Sequence, residues 1–246
     1  MASAKQLYMA LNEIIPFENQ ESWDNSGLLL DSGKDSDKVL VCLDVTSEAV
    51  RRAEETGAGI IVSHHPLIFS PLKKLSEQDL VYRLIEKGIS VICAHTNFDK
   101  YEKGTGYCMA AALGLENIQF CEDGICLTGD LPEESLVSDA ALKCKEIFGA
   151  ASCSLPDKKV KKVFLCPGSG GGLTGVVLDS GADCFITGEC SYHNVLDLRH
   201  AGVGVITLGH DLSERVSLPV LAGLISGRMP GLQVSVFTQK ALTESV

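Results

Sequence analysis

Ile60-Ile61-Val62-Ser63-His64-His65-Pro66 is the stretch around which the rest of the chain can be organised. Its apolar start predicts a short buried strand, and two imidazoles follow where that strand ends. Neighbouring side chains of a continuing strand point to opposite faces, so both histidines serve one site only if the chain turns there. Pro66 is well placed to end regular pairing. Imidazole is the commonest protein metal ligand, and the alternative is two unrelated loop histidines.

The segment before this stretch completes a β-α-β pattern. Residues 39–43 are apolar and predict a strand, and Thr46 or Ser47 can cap a helix that runs to about Glu55. Gly57 follows that helix and separates it from the next strand. Because a helix between two strands implies that the strands are parallel, an α/β fold is expected.

Later segments repeat this alternation and predict two related α/β halves with mixed sheets, residues 1–125 and 126–246, expected to form one compact unit. The segment 57–64 resembles 181–188 in sequence. A helix from about Asp211 is expected to be kinked or restarted at Pro219. Further helices are predicted at 4–15, 77–87, 105–113, 138–148 and 191–200. Further strands are predicted at 90–94, 118–131, 162–166, 181–189, 202–208 and 232–237.

The composition argues against several classes of protein. The 246 residues carry a net charge of −11, from 21 basic and 32 acidic side chains, which argues against non-specific nucleic-acid binding and against an anionic-membrane binder. No signal peptide and no apolar stretch of roughly 18 residues is expected, so a cytoplasmic protein without a membrane partner is predicted. The ten cysteines lack the spacing C-x-x-C, and buried reduced thiols are expected.

Metal-ligating residue types follow several of the predicted strands. In α/β sheets, functional sites lie at the carboxyl ends of strands. If the stretch from His95 to Asp99 is extended, His95, Asn97 and Asp99 share one face. His210 and Glu214 are four residues apart and share one face of a helix. The candidates are His64, His65, His95, Asp99, Glu189, His193, His210 and Glu214.

This set of donors favours a particular kind of metal site. Histidine and carboxylate without cysteine suit Zn, Fe, Mn or Mg, and they do not suit a structural thiolate site. Two ions would need a bridging group such as Glu214, and together they would polarise a substrate oxygen and activate a water molecule.

Three assignments stay open at this level. His95 is either a direct ligand or a residue that orients one. Asp44 is either a helix cap or a site residue. The loop Gly168–Gly172 could bind phosphate through its N–H groups, although a tight turn is favoured. His200 is expected to be a solvated helix residue.

Five motifs occur in an order that resembles one family: Trp23-Asp24-Asn25-Ser26-Gly27-Leu28, Ser63-His64-His65-Pro66, His95-Thr96-Asn97-Phe98-Asp99, Thr187-Gly188-Glu189-Cys190-Ser191-Tyr192-His193 and Gly209-His210-Asp211-Leu212-Ser213-Glu214. The chain resembles the Nif-three-like family of dinuclear-metal proteins, which includes the GTP cyclohydrolase I type 2 homologues. It is similar to the short form of that family, without an inserted domain. Two departures are Asp211, where the family usually has an aromatic residue, and Pro167. They affect the expected substrate contacts.

The resemblance implies a Nif-three-like fold, a toroidal homohexamer and two divalent metal ions per chain. His65 and Asp99 would bind one ion, His64 and His210 the other, and Glu214 would bridge both. His95 and Glu189 would lie near the ions. His193 and Glu214 would carry catalysis, with His193 as proton donor.

The implied activity is metal-dependent hydrolysis of a nucleotide-like substrate, with GTP first. The alternative is a non-catalytic hexamer that binds metal or a protein partner.

Overall fold

The computed structural model describes residues 1–240. The strands, in chain order, are β1 (Ala2–Ser3), β2 (Gly27–Leu30), β3 (Asp35–Ser36), β4 (Lys38–Cys42), β5 (Ile60–Ser63), β6 (Ser90–Cys93), β7 (Glu116–Phe120), β8 (Leu127–Leu136), β9 (Ser152–Cys153), β10 (Lys159–Ser169), β11 (Cys184–Glu189), β12 (Gly204–Thr207) and β13 (Gln233–Phe237). The helices are α1 (Ala4–Asn12), α2 (Ser47–Thr56), α3 (Leu80–Lys87), α4 (Thr96–Asp99), α5 (Thr105–Leu113), α6 (Val137–Phe148), α7 (Thr174–Asp179), α8 (Tyr192–His200), α9 (His210–Glu214) and α10 (Leu218–Arg228).

These elements form two compact units. The first contains Met1–Tyr101 and Leu218–Lys240, and the second contains Glu102–Ser217. The boundary expected between residues 125 and 126 falls inside the second unit, where β7 and β8 on its two sides pair antiparallel. Residues 241–246, the end of the predicted second half, lie outside the described residues.

The first unit is built on a five-stranded mixed sheet of order β13-β4-β5-β6-β2. The first four of these strands are parallel, and β2 runs antiparallel to β6. Along β4, Val39 and Val41 pack on one face in a cluster that includes Leu7 of α1, while Leu40 packs on the other face in a cluster that includes Val50 of α2. Burial on both faces explains why the central strands are continuous apolar runs.

The second unit also has a mixed sheet, of order β7-β8-β10-β11-β12-β9. Its strands β10, β11 and β12 are parallel, whereas β7, β8 and β9 pair antiparallel. One face packs in a cluster that includes Met109 of α5 and Cys144 of α6, and the other in a cluster that includes Val177 of α7 and Leu198 of α8. The mixed α/β architecture predicted from the sequence is confirmed.

Local signals set several of the element ends. Thr46 caps α2, because its Oγ1 accepts the Ala49 N–H at 3.1 Å, and Gly57 ends that helix in the left-handed conformation with φ of 74°. The predicted restart near Pro219 is confirmed, since α9 ends at Glu214 and α10 begins at Leu218.

The stretch from His95 to Asp99 is not extended, so the condition for a face shared by His95, Asn97 and Asp99 is not met. Residues Thr96–Asp99 form one helical turn, and the Asp99 N–H donates to the His95 carbonyl at 3.0 Å. His95 and Asp99 therefore share one side through their four-residue spacing. Asn97 points elsewhere and donates its side-chain N–H to the Ile15 carbonyl at 2.9 Å.

Within residues 1–240, none of the helices combines the length and the apolar character that a membrane span needs. All ten cysteines lie in this part of the chain as free thiols, seven of them buried.

Candidate metal centre

His64 and His65 lie immediately beyond β5, where the backbone continues to pair with the neighbouring strand. Their N–H groups donate to the carbonyls of Cys42 and Leu43 at 3.0 and 2.9 Å. The Ser63 hydroxyl donates to the His65 carbonyl at 2.7 Å and stabilises a turn. The two imidazole centroids are consequently 5.1 Å apart, although the residues are adjacent in sequence. The turn required for a shared site is present.

Both rings are oriented through Nδ1. The Nδ1–H of His64 donates to the Ala94 carbonyl at 3.0 Å, and that of His65 donates to Asp44 Oδ1 at 2.8 Å. A carbonyl or carboxylate oxygen can only accept, so Nδ1 carries the proton in each ring. In the neutral imidazole, Nε2 then carries the lone pair that a metal ion binds.

His95 brings a third imidazole to the same place. Its ring centroid lies 5.1 Å from that of His64 and 5.5 Å from that of His65. One ring nitrogen from each of the three histidines lies within 4.8 Å of the others, close enough to hold a metal ion. Both roles considered for His95, ligand or orienting residue, agree with this position.

Asp24 orients His95 and is itself held by several donors. Its carboxylate accepts from His95 Nδ1 at 2.8 Å, from the Ser26 hydroxyl at 2.9 Å, and from both the N–H and the hydroxyl of Thr96. Burial alone would raise the pKa of Asp24. The hydrogen bonds from His95, Thr96 and Ser26, together with the charge of His95, outweigh burial and hold that pKa well below its usual range.

Asp99 adds a carboxylate to the histidines of the first unit. It is buried, and its Oδ1 lies 3.6 Å from His64 Nε2. The helical turn of α4 places it there, so the shape of this segment determines which groups a metal ion would meet.

Asp44 is part of the site, since Thr46 and not Asp44 caps α2. One Asp44 oxygen accepts from His65, and the other accepts from the side-chain amide of Gln239 at 2.7 Å. Sequence reasoning missed Gln239, which is 195 residues away along the chain. Asp44 follows the end of β4, the strand next to β5, and this position was the available signal for its role.

The second unit offers a smaller donor group on α9. His210 Nδ1 donates to Glu189 Oε2 at 3.2 Å, and His210 Nε2 lies 3.3 Å from Glu214 Oε1. Glu214 is buried, while His210 and Glu189 are more accessible. The predicted four-residue spacing of His210 and Glu214 on one helix face is confirmed.

Gly168 lets the backbone come close to this group. Its φ is +59°, and a Cβ at this position would press against the carboxylate of Glu214. Its N–H donates to the Ser213 hydroxyl at 3.0 Å, and the Gly170 N–H donates to Thr187 Oγ1 at 3.2 Å. Two amides of the glycine loop are thus used inside the unit, which agrees with the tight turn favoured from the sequence.

His193 and His200 both lie on α8. His193 is exposed in the first turn, where its ring meets Tyr192 edge-on at 5.4 Å. His200 is exposed at the last residue of the helix. The structure groups His210 with Glu189 and Glu214, and it leaves His193 at the surface of its helix.

The residues present fit a divalent metal ion. Neutral imidazole nitrogens and carboxylate oxygens are ordinary ligands of Zn, Fe and Mn. Metal-binding histidines usually donate their other ring N–H to a carboxylate or a backbone carbonyl, and the rings of His64, His65 and His210 all do so here.

The chain is similar in sequence to several known proteins. A protein from Helicobacter pylori (strain J99) named GTP cyclohydrolase 1 type 2 is 32% identical over 233 residues, which is 92% of each chain. A protein from Campylobacter jejuni named GTP cyclohydrolase 1 type 2 homolog is 34% identical and covers 88% of this chain and 89% of its own.

Solved structures agree in fold. A hypothetical protein of Staphylococcus aureus matches with a TM-score of 0.90 and 26% identity over 99% of both chains. A Bacillus cereus protein related to NIF3 matches with a TM-score of 0.87 at 20% identity, over 99% of this chain and 98% of that one. The model of the family DUF34/NIF3 (NGG1p interacting factor 3) matches residues 2–243. The chain belongs to the DUF34/NIF3 family.

Proposed function

We propose that this chain binds two divalent metal ions and is a metal-dependent hydrolase of a nucleotide-like substrate. The proposed ligands are His64, His65 and Asp99 from the first unit and His210 and Glu214 from the second. Glu214 is proposed to bridge the ions, as the family resemblance implies. Zn, Fe, Mn and Mg are the candidate ions, and the cytoplasm is the proposed location.

The observation that carries the proposal is the shared orientation of the imidazoles. His64, His65 and His210 each donate Nδ1–H to an oxygen at 2.8 to 3.2 Å, which leaves Nε2 of each neutral ring as the atom that can bind a metal ion. The same hydrogen-bond pattern occurs at the candidate ligands of each unit. Orientation by an oxygen acceptor is the usual arrangement around protein-bound metals.

Bound divalent ions would polarise a substrate oxygen and supply an activated water molecule at neutral pH. Asp44 holds the His65 ring in place and Glu189 holds His210, so neither ring has to reorganise when substrate binds. His193 is proposed to give a proton to the leaving nitrogen or oxygen, since imidazole exchanges protons near neutral pH. Its exposure leaves it accessible to a substrate.

The substrate class is proposed from the names of relatives. Proteins 32 to 34% identical to this chain are named GTP cyclohydrolase 1 type 2 or its homolog. That name denotes hydrolytic opening of the guanine ring with loss of formate, which requires an activated water molecule and a proton donor. GTP is therefore the first substrate to test.

A second candidate is a metal-binding protein without turnover that interacts with a partner. The family description "NGG1p interacting factor 3" favours it, since the description names an interaction and no reaction. Turnover by metal-loaded protein separates the two functions.

The test is GTP hydrolysis by protein of measured metal content. His193→Ala should cut turnover while metal content stays intact, whereas His65→Ala should reduce both. His200→Ala, on the same helix as His193, is the matched control and should change neither. If fully loaded protein turns over neither GTP nor a broad panel of nucleotides and phosphoesters, the non-catalytic function is preferred. If His193→Ala is as active as wild type, the proton-donor role is wrong.

A further inference from the structure

The motif around Trp23 contains one residue that the fold does not explain. Asp24 orients His95, and the Asn25 side chain donates to the Ile68 carbonyl at 2.5 Å, which fixes the loop after Pro66. Trp23, between these anchors and the solvent, is 58% exposed. It is the only tryptophan of the chain.

Trp23 is paired with a second exposed aromatic residue. Phe69, held near it by the loop that Asn25 fixes, is 56% exposed. The two ring centroids are 6.3 Å apart and the planes are tilted by 47°, so neither ring covers a face of the other by stacking. Single exposed aromatic residues are common on proteins, but two that present open faces side by side form a surface suited to a third ring.

This aromatic pair borders the histidines of the first unit. The Trp23 ring meets His95 edge-on at 6.0 Å, and His95 lies 5.1 Å from His64. A flat molecule stacked on Trp23 would therefore have its edge close to the candidate metal ligands. The interplanar angle of 76° shows that the imidazole is not stacked on the indole.

We propose that Trp23 and Phe69 form the stacking site for the nucleobase of the substrate. The base, and not the phosphate group, would then lie beside His95 and His64. The identity of the ligand as a nucleotide rests on the proposed function. The placement of the base rests on the exposed rings and on their distance from the histidines.

The cavity beside His65 has room for the rest of a nucleotide. It measures about 460 Å³, and its lining includes His65, Lys74 and the two acidic residues Asp44 and Asp79. Ligand pockets generally range from about 300 to 1,000 Å³. Lys74 is the basic side chain of this lining, and its charge acts on the carboxylate of Asp79 as well as on any phosphate group there. Every nucleobase has a flat face that an indole can stack on.

The test uses the fluorescence of Trp23, which reports on this one position. Wild-type protein, stripped of metal with a chelator, is titrated with guanosine, GTP, and ribose 5-phosphate, with correction for nucleotide absorbance. Stacking should quench the emission with guanosine and GTP, and ribose 5-phosphate should leave it unchanged. Metal-free protein removes any binding of phosphate to a bound ion, so this readout does not depend on turnover.

Substitutions of Trp23 and Phe69 measure how much each ring contributes to guanosine affinity. Trp23→Ala should weaken guanosine binding, measured by equilibrium dialysis, by about 5- to 150-fold, the range expected for loss of one base–aromatic stack. Phe69→Ala should weaken it less, and Trp23→Phe should restore part of the loss. Phe120→Ala is the matched control, because Phe120 is 41% exposed on β7 of the second unit. It should bind guanosine as wild type does.

Each outcome separates this inference from the proposed function. If guanosine quenches the emission of metal-free protein but metal-loaded protein turns over no nucleotide, the stacking site is supported and the hydrolase function is not. Turnover of GTP with unchanged KM in Trp23→Ala overturns the stacking site and leaves the hydrolase standing. Absence of quenching by guanosine, or equal quenching by ribose 5-phosphate, also overturns it. A blue shift of emission with rising protein concentration, before nucleotide is added, would show that another copy covers Trp23 and would overturn it too.

Discussion

At the scale of single residues, the candidate site depends on which ring nitrogen each histidine presents. Asp44 for His65, Asp24 for His95 and Glu189 for His210 each accept a hydrogen bond from Nδ1. These carboxylates fix a tautomer before any ligand arrives, and this preorganisation lowers the cost of binding. In the proposed metal centre, their role is therefore to position the candidate ligands.

Asp24→Asn should lower the free energy of unfolding of chelator-treated protein by about 1.5 to 3 kcal/mol at neutral pH, the usual contribution of hydrogen bonds to a charged group. The folded-state pKa of Asp24 is lowered, so its stabilisation is present above the unfolded-state pKa of about 3.9. It is lost as the pH falls from there towards the folded-state pKa. Urea unfolding of both proteins over a pH series checks this.

In that series, the free energy of unfolding of wild type should exceed that of Asp24→Asn by a constant amount near neutral pH. This difference should shrink below about pH 3.9. Asp157→Asn, at an exposed position, is the control and should match wild type throughout. If the difference in free energy of unfolding between wild type and Asp24→Asn instead grows as the pH falls, Asp24 is not an ionised acceptor.

Sequence alone identified the histidines and carboxylates but not all of their partners. His64 and His65 were found because they follow a strong strand signal. The hydrogen bonds from His95 to Asp24 and from Gln239 to Asp44 join residues 71 and 195 positions apart. Such contacts are set by tertiary packing, and no local pattern reports them.

At the scale of elements, the ends of parallel strands gather the donors. β4, β5 and β6 are neighbours in one parallel sheet, and Asp44, His64 and His95 follow their carboxyl ends. This was predictable, because apolar runs separated by a capped helix specify a β-α-β unit. The helical turn at Thr96–Asp99 was not, since four residues are too few to show a period.

Gly168→Ala should disturb the end of β10 and the proposed metal ligand beside it, Glu214. Adopting φ of +59° with a Cβ costs about 1 to 2 kcal/mol, and the new methyl would press on the carboxylate of Glu214. Thermal unfolding and metal analysis of the reloaded protein should both show a loss.

Gly172→Ala is the matched control for this variant. A Cβ at Gly172 would meet nothing within 4 Å, so its metal content and its melting temperature should stay close to wild type. If Gly168→Ala kept full metal content, the close approach of Gly168 to Glu214 would not be needed for metal binding.

At the scale of the whole molecule, the sequence predicted two α/β units but not their composition. The predicted halves were contiguous, whereas Leu218–Lys240 belongs to the first unit. In that unit β13 adds to the edge of its sheet beside β4. An apolar strand pattern does not determine which sheet the strand joins. The pairing of β13 with β4 in the first unit could therefore not be predicted from the sequence.

The homohexamer implied by the family remains a proposal about the whole molecule. Light scattering coupled to size-exclusion chromatography should give about six times the chain mass of 26.2 kDa. Metal-loaded protein that runs as a monomer at micromolar concentration would contradict it.

The measurement that tests the central claim most directly is the metal content of purified protein after gentle purification and reloading. Wild type should hold about two divalent ions per chain, as a dinuclear hydrolytic site requires. Glu214→Ala should lose most of the metal, because a bridging carboxylate holds both ions, while His200→Ala should lose none. Wild-type protein that stays metal-free after reloading, or Glu214→Ala that keeps a full complement, would contradict the dinuclear centre.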